Sequence, residues 1–494
     1  MKHLEIERRY LLYPCSAKRL LRRLGVAYEK VPMRQFYLVA DRDRAERYRQ
    51  EGDRYVRTVK RGSGLAREEE EEPIGRERFE AALAQNRGGI VVKNRYIFEY
   101  EGHRYELDAF KGRFKGLVIL EIEFPDTRTA RAFSLPGPLA SRVVAEVTED
   151  PRFTNGALSR SGRIPAIESD LARLLARIDN RENFLKASTD VPLSAFESGR
   201  HAVKALLYTL TRSVEANREA ILSGDDDPER LHQLRVAMRK ERALLAQLAS
   251  LFDEGWAHSH KRRLAELMRE TGAKRDLDVY LGQIETYRSL LESRYHEGIG
   301  RLEAYLRSRY EAQERALLDV LRSDAFVEEV AQLKRFCRDD GPEGLDEKAN
   351  APVVFAVKKA LKKRYQRVLK KGAAIDAESP AHLYHALRIE VKKLRYLMEF
   401  FAALFEPDAY GRMLKRVKKI QSVLGDHQDL EVQRAHLKAF AELEELHDAP
   451  TRRAIEALRK VLASLEEKRR REFRSLFAEL SGSDELFSRM ICHG

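Results

Sequence analysis

The chain has 494 residues but only three cysteines, Cys15, Cys337 and Cys492, far apart and outside any CxxC spacing. That scarcity excludes a disulfide framework and a thiolate zinc site, and three free thiols are expected. Helix breakers are also few, with 15 prolines and 27 glycines against 43% apolar and 35% charged residues. Such a composition belongs to an ordered, helix-rich chain and excludes extended disorder. No stretch reaches the roughly 18 uncharged apolar residues of a membrane span, and the N-terminus lacks the apolar core of a signal peptide. No membrane association and a cytoplasmic location are expected. A large excess of one charge is missing too: +13 is modest for this length, so any polyanion partner must be argued from where the charges stand.

What is present divides into two textures, and the length itself asks for two or three domains. Up to about residue 160 the apolar pattern has period two, in "LEIERRYLL", "RQFYLVA", "AERYRQ", "RYVRTVK", "GIVVKNRYIFEY", "HRYELDAF" and "LVILEIEF", with Gly-containing turns such as "QEGD" and "RGSG" between several of them. Short strands at this spacing predict an antiparallel sheet that curls or closes, with short helices near 14–24, 75–86 and 126–132. From Glu168 onward apolar residues recur at i, i+3, i+4 and i+7, which predicts an all-helical second half.

Within a strand, i and i+2 share a face, so Glu5, Glu7 and Arg9 line one side of the first run. Arg47 and Arg49, Lys93 and Arg95, Glu106 and Asp108, and Glu121 and Glu123 repeat that spacing. A half-buried sheet with a wet polar face is one explanation. Yet the pairs are single-signed, and the neighbours of Glu121 and Glu123 are too apolar for an exposed edge. A barrel with a charged interior explains both, provided that a divalent cation offsets the clustered carboxylates and a phosphate-bearing ligand meets the arginines. The acidic run Glu68–Glu72 reads as a solvent-facing block, with Glu69 and Glu71 in phase with the interior as the alternative.

These residues, with "MRQFYL", "RYRQEGDRYVRTVKRGSGLAREE", "VVKNRYIFE", "YELDAFKG", "LEIEF" and "EVTEDPRFTNGALS", resemble the CYTH domain of the triphosphate tunnel metalloenzymes over the first 160 or so residues. The family's ExExK signature reads Glu5-Ile6-Glu7-Arg8-Arg9 here, with arginine for the usual lysine. The resemblance implies that Glu5, Glu7, Glu121 and Glu123, helped by Asp108, hold Mg²⁺ or Mn²⁺. It also implies that Arg34, Arg47, Arg49, Lys60, Lys93 and Arg95 clamp phosphates, with Glu5, Glu7 and Arg9 as the catalytic set. Arginine at position 9 keeps the charge but loses any proton-transfer role a lysine would have.

The helical half repeats itself. His232, Arg235, Arg239, Lys240 and Arg242 recur as His385, Arg388, Lys392, Lys393 and Arg395, and Asp276 recurs as Asp429, all at a shift of 153. This predicts an in-register duplication. Offsets of 0, 3, 7 and 10 span about 80° on a helix, so each copy carries one basic stripe. A solvated face is the plain reading of one stripe, but two stripes brought to a common axis would suit a linear polyanion. Residues 195–490 resemble the CHAD domain, with both copies of its H-x-x-R-x-x-x-[RK]-K-x-R pattern. The resemblance implies two pseudo-symmetric four-helix bundles and inorganic polyphosphate as ligand. No aromatic platform or base-reading motif accompanies the stripes, so specific nucleic-acid binding is not expected.

The expected architecture is α+β and multidomain: an antiparallel barrel or tunnel with flanking helices over 1–164, a connecting helix and linker over 165–193, and an all-α domain over 194–490 with repeats near 195–325 and 350–482. The expected function is metal-dependent hydrolysis of inorganic triphosphate in the first domain with polyphosphate binding in the last. The alternatives are a non-catalytic polyphosphate scaffold and a nucleoside or thiamine triphosphatase.

Overall fold

A computed structural model describes residues 6–40, 44–61, 68–181, 183–376, 378–405 and 407–491. The N-terminal domain is a nine-stranded antiparallel sheet, formed by β1 (Ile6–Leu12), β2 (Tyr28–Ala40), β3 (Arg44–Glu51), β4 (Arg54–Arg61), β5 (Glu68–Pro73), β6 (Val91–Tyr100), β7 (His103–Phe110), β8 (Val118–Phe124) and β9 (Val143–Glu146). Their spatial order is β5-β4-β3-β2-β6-β7-β8-β1-β9. Helices α1 (Ala17–Leu24), α2 (Arg76–Gln85), α3 (Thr127–Ala132), α4 (Gly137–Ala140) and α5 (Asn155–Ser161) fill the connections. Two strands escaped the sequence pattern: β5 is the acidic run, and β9 has only four residues.

The expected closed barrel is not what the ladder shows, because β5 and β9 are its two edges and do not pair with each other. Short β9 meets β1 across a register shift at Leu11/Leu12, which leaves little edge for closure. The inner face is charged toward one end and apolar toward the other. Glu7 and Arg9 are followed by Leu11, Glu123 and Glu121 by Ile119, Asp108 by Phe110, while Arg95 and Lys93 lead to Val91. Leu11, Val91, Phe110 and Ile119 join Phe114, Leu117, Phe153, Ala195 and Phe196 in one buried cluster. That cluster plugs the apolar end.

The connecting segment contains α6 (Leu171–Asp179), whose Leu171, Leu174, Leu175 and Ile178 are buried in the helical core. Then follow α7 (Gly199–Leu222), α8 (Pro228–Gln247), α9 (Glu254–Glu270), α10 (Gly272–Ser289), α11 (His296–Arg322) and α12 (Asp324–Arg338). The second set is α13 (Val353–Ala373), α14 (Ala381–Phe400), α15 (Pro407–Ala441), α16 (Ala449–Ser481) and α17 (Asp484–Ile491). The duplication is visible in the helix starts: 381 against 228, 407 against 254 and 449 against 296, a constant shift of 153. Ahead of the first helix of each copy the chains bond reciprocally, the Gly199 amide to the Ala351 carbonyl at 2.9 Å and the Val353 amide to the Glu197 carbonyl at 2.8 Å.

Two features depart from a pair of separate four-helix bundles. The first copy breaks at Thr271, giving α9 and α10 where the second has the single helix α15. The copies also share their packing. One large core draws on α7, α8, α13 and α14, and a second cluster joins α10 and α11 to the far ends of α15 and α16. The two domains meet where Phe355 of α13 packs edge-on to Phe196 and against the backbone at Gly116, whose φ of 104° only glycine adopts readily.

Candidate functional site

On the inner face of the sheet, strand register decides which charges meet. Glu7 lies directly opposite Glu123, Arg9 opposite Glu121, Glu106 opposite Glu121, and Arg95 opposite Asp108. Like charges directly across a strand pair repel, so Glu7–Glu123 and Glu106–Glu121 each need a cation. Arg95 supplies one. Its Nε and Nη2 donate to the two oxygens of Asp108 at 2.9 and 2.7 Å, Nη2 also donates to Glu121 at 2.6 Å, and Nη1 donates to Glu106. Lys93 is 1% exposed and donates to Asp108, which is 0% exposed.

The electrostatics follow from this packing. Burial pushes the Lys93 amine down, and although burial disfavours its charge, Lys93 and Arg95 hold the Asp108 carboxyl below the usual range. Burial, with Asp108 and Glu7 as like-charged neighbours, pushes Glu121 up to about 7. Across the trough Arg49 donates to Glu71 at 3.2 Å and pairs with Glu51 at 2.8 Å, and Arg47 donates to Thr58 at 3.2 Å. Glu71 therefore turns inward, while Glu72 faces outward to Arg57 and Arg78. Burial and the nearby Arg47 and Arg95 push the Arg49 guanidinium down. Arg9 donates to the Thr148 carbonyl at 2.8 Å and approaches Glu7 at 3.5 Å.

Arg34 does not join this set. It pairs in register with Gln50 and Val92, on the opposite face from Gln35, and its guanidinium lies 6.0 Å from the centre of the Phe79 ring of α2. Period-two counting from Arg47 and Arg49 could not show this, because which face a strand presents is set by its pairing. Asp108 is placed inside, but both of its oxygens are taken by Lys93 and Arg95. Those bonds make it the anchor of the two cations. Glu5 and the side chain of Lys60 lie outside the described residues.

In the helical half, the two stripes meet where α8 packs on α14. Burial and then Arg239, Arg388 and Arg395 push the Lys392 amine down to about 7, with Asp429 opposing. The Tyr396 ring carries Lys392 and Arg395 at 5.6 and 5.7 Å. Burial and the neighbouring Arg275, Arg239 and Arg235 likewise lower His232.

The copies differ in how their cations are used. The break after α9 exposes helix carbonyls, and Arg235 satisfies them, donating to Thr271 Oγ1 at 2.7 Å and to the Met268 carbonyl. Continuous α15 has no such end, so Arg388 instead faces Asp429 at 3.8 Å. Lys240 is buried on the Ala187 carbonyl at 2.7 Å, whereas Lys393 reaches Glu390 at 3.3 Å. Arg242 rests 3.8 Å from the Met268 sulfur, and His385 bonds Gln428. Beside the junction a cavity of about 500 Å³ is lined by His232, Lys240, Arg395, Glu399, Lys186 and Lys418, among others. Lys186 and Lys418 belong to no repeated pattern, and sequence reasoning had no signal for them.

Comparison with known proteins places both halves. Residues 205–438 match the family model of the CHAD domain. The N-terminal part is 37% identical over 159 residues to an inorganic triphosphatase of Nitrosomonas europaea, covering 32% of this chain and 97% of that protein. The chain belongs to that triphosphatase's family. An inorganic triphosphatase of Acetivibrio thermocellus is 36% identical over 160 residues, 32% of this chain and 94% of that protein. The CHAD domain is similar in fold to that of the plant Ricinus communis, with a TM-score of 0.50 at 22% identity over 60% of this chain and 97% of the other. No described helix is long and apolar enough to cross a membrane.

Among the described residues of the triphosphatase-family domain, no three carboxylate, imidazole or thiol groups converge on a ready-made cation site. The donor chemistry at the charged end still fits a hard divalent cation, since Glu7 and Glu123 are opposed across β1 and β8 with Glu121 next along the same face.

Proposed function

We propose that the N-terminal domain is a CYTH-type triphosphate hydrolase acting on inorganic triphosphate with Mg²⁺ or Mn²⁺, and that the CHAD domain binds inorganic polyphosphate. The observation that carries the first part is the division of one sheet face into opposed carboxylates, Glu7 and Glu123, and facing guanidinium groups, Arg47, Arg49 and Arg95. A divalent cation held by Glu7, Glu121 and Glu123, with Glu5, would neutralise phosphate oxygens and lower the pKa of a water at the terminal phosphorus.

The chain's own residues supply the rest. Arg47 and Arg49 present planar donors suited to phosphate oxygens, and Glu71 pairs with both. A triphosphate would displace Glu71 from them. Lys93 and Asp108 fix the Arg95 plane from beneath. Arg9, tied to the Thr148 carbonyl, orients Glu7 and keeps its charge throughout. The buried cluster plugging the apolar end supports one mouth at the charged end, in place of a passage through the domain.

The test is phosphate release from triphosphate, ATP and thiamine triphosphate, each with Mg²⁺, Mn²⁺ or chelator. Triphosphate turnover that needs the metal and falls at least 100-fold in Glu7→Gln is expected, an effect of the size of one lost transition-state contact. Faster turnover of a nucleotide would overturn the substrate, and turnover unaffected by chelator would overturn the metal.

For the CHAD domain, the crowding of Lys392 by three arginines supports a surface that is relieved by a polyanion. The Tyr396 ring is buried beneath those cations and offers no open face for base stacking, which supports a ligand without bases.

A further inference from the structure

The duplicated first helices α7 and α13 have opposite surfaces. In α7 the positions Ala205, Tyr208, Thr209 and Ser213 are all at most 2% exposed. Ala205 and Tyr208 belong to the helical core that also takes in α6 and the connecting segment, and the Tyr208 hydroxyl donates to Asp179 of α6 at 2.9 Å. For these two helices the starts at 199 and 353, and the reciprocal bonds just ahead of them, set a shift of 154, which carries these four to Lys359, Lys362, Lys363 and Arg367, with Gln366 and Lys370 on the same face. All six are exposed.

These six stand at i, i+3, i+4, i+7, i+8 and i+11, a single stripe. Helix α13 contains no acidic residue at all, and none of Lys359, Lys362, Lys363, Arg367 or Lys370 pairs with a described acid. From Lys359 to Lys370 the stripe is about 17 Å long at the helical rise per residue. At one end Lys371 donates to the Ala386 carbonyl of α14, next to His385 of the second stripe. At the other Lys358 donates to the Pro14 carbonyl, just before α1 with its exposed Lys18 and Arg22.

We infer that the bare face of α13 is a second polyphosphate track, which extends the cleft between the stripes outward along the surface toward the N-terminal domain. The inference rests on the polyphosphate reading of that cleft. Where the first copy buries this face beneath the connecting segment, the second leaves it uncovered and converts it to cations. Five unpaired like charges along one helix cost stability by mutual repulsion unless a linear anion runs beside them. Exposed aromatic side chains are absent from the stripe, so a phosphate chain without bases fits it better than a nucleic acid.

The test uses the full chain with Lys359, Lys362, Lys363 and Lys370 all changed to glutamine, and two probes, a short oligophosphate and long-chain polyphosphate. Long-chain binding should weaken about tenfold at physiological ionic strength and its logarithmic salt slope should fall by about 3, because four phosphate contacts no longer release counterions. Oligophosphate binding and triphosphate turnover should be unchanged. Equal long-chain affinity in variant and parent overturns the track, as does an equal loss for both probes. A parent protein that prefers duplex DNA to long-chain polyphosphate at matched salt, with that preference lost in the variant, reassigns the track to nucleic acid and also overturns it. Arg388→Ala reports on the cleft separately: it should weaken both probes, and if it weakens neither, the cleft reading fails while the four-lysine result still judges α13.

Discussion

Asp108 shows how one residue's role depends on its neighbours. Two carboxylates at i and i+2 in β7 look equivalent in sequence, yet Asp108 is sealed beneath Lys93 and Arg95 whereas Glu106 is also reached by exposed Arg104 at 3.0 Å. Removing one partner of a buried pair strands the other's charge, at a cost of about 3–5 kcal/mol. Asp108→Ala should therefore lose about 3 kcal/mol or more in denaturant unfolding, together with activity. Exposed Glu123→Gln should change stability by less than about 1 kcal/mol while losing metal-dependent turnover. The two-position spacing made all of these residues candidates; only the register and burial separate sealed Asp108 from exposed Glu123.

At the scale of the element, α14 gathers more of the basic junction than α8. Lys392 faces Arg388 and Arg395 on its own helix, Arg239 from α8 and Asp429 from α15, and its amine is pushed down to about 7 by burial and those arginines. Polyphosphate would restore the proton, so affinity should be highest below about pH 7 and fall as pH rises through it. At most tenfold is lost per pH unit, because one proton is linked. Lys392→Arg should retain affinity and flatten the profile, since arginine does not titrate in this range; an unchanged slope in that variant would disprove the linkage. The repeated helices were legible because His232 and His385 head matching patterns at a fixed shift. Their unequal use was not, because it depends on the break at Thr271, which gives Arg235 carbonyls to satisfy and leaves Arg388 without them.

For the whole molecule, the joint between domains includes an aromatic contact. An added Cβ at Gly116 would sit 2.6 Å from the Phe355 ring, which in turn meets Phe196. Phe355→Ala should cost about 2 kcal/mol of buried apolar surface and make the two domains unfold in more clearly separate calorimetric transitions. Unchanged overlap of the transitions would mean that the joint does not couple them.

The sequence by itself determined the division into a strand half and a helical half, the duplication, and the charged pairs, because side-chain periodicity and repeat spacing are local properties of the chain. Tertiary structure alone decided that Arg34 lies outside the charged face, that the ladder is open between β5 and β9, that Glu71 turns inward, and that α13 is bare where α7 is buried. Each of those depends on which distant segment covers a given face, and coverage is fixed by packing between residues far apart in the chain.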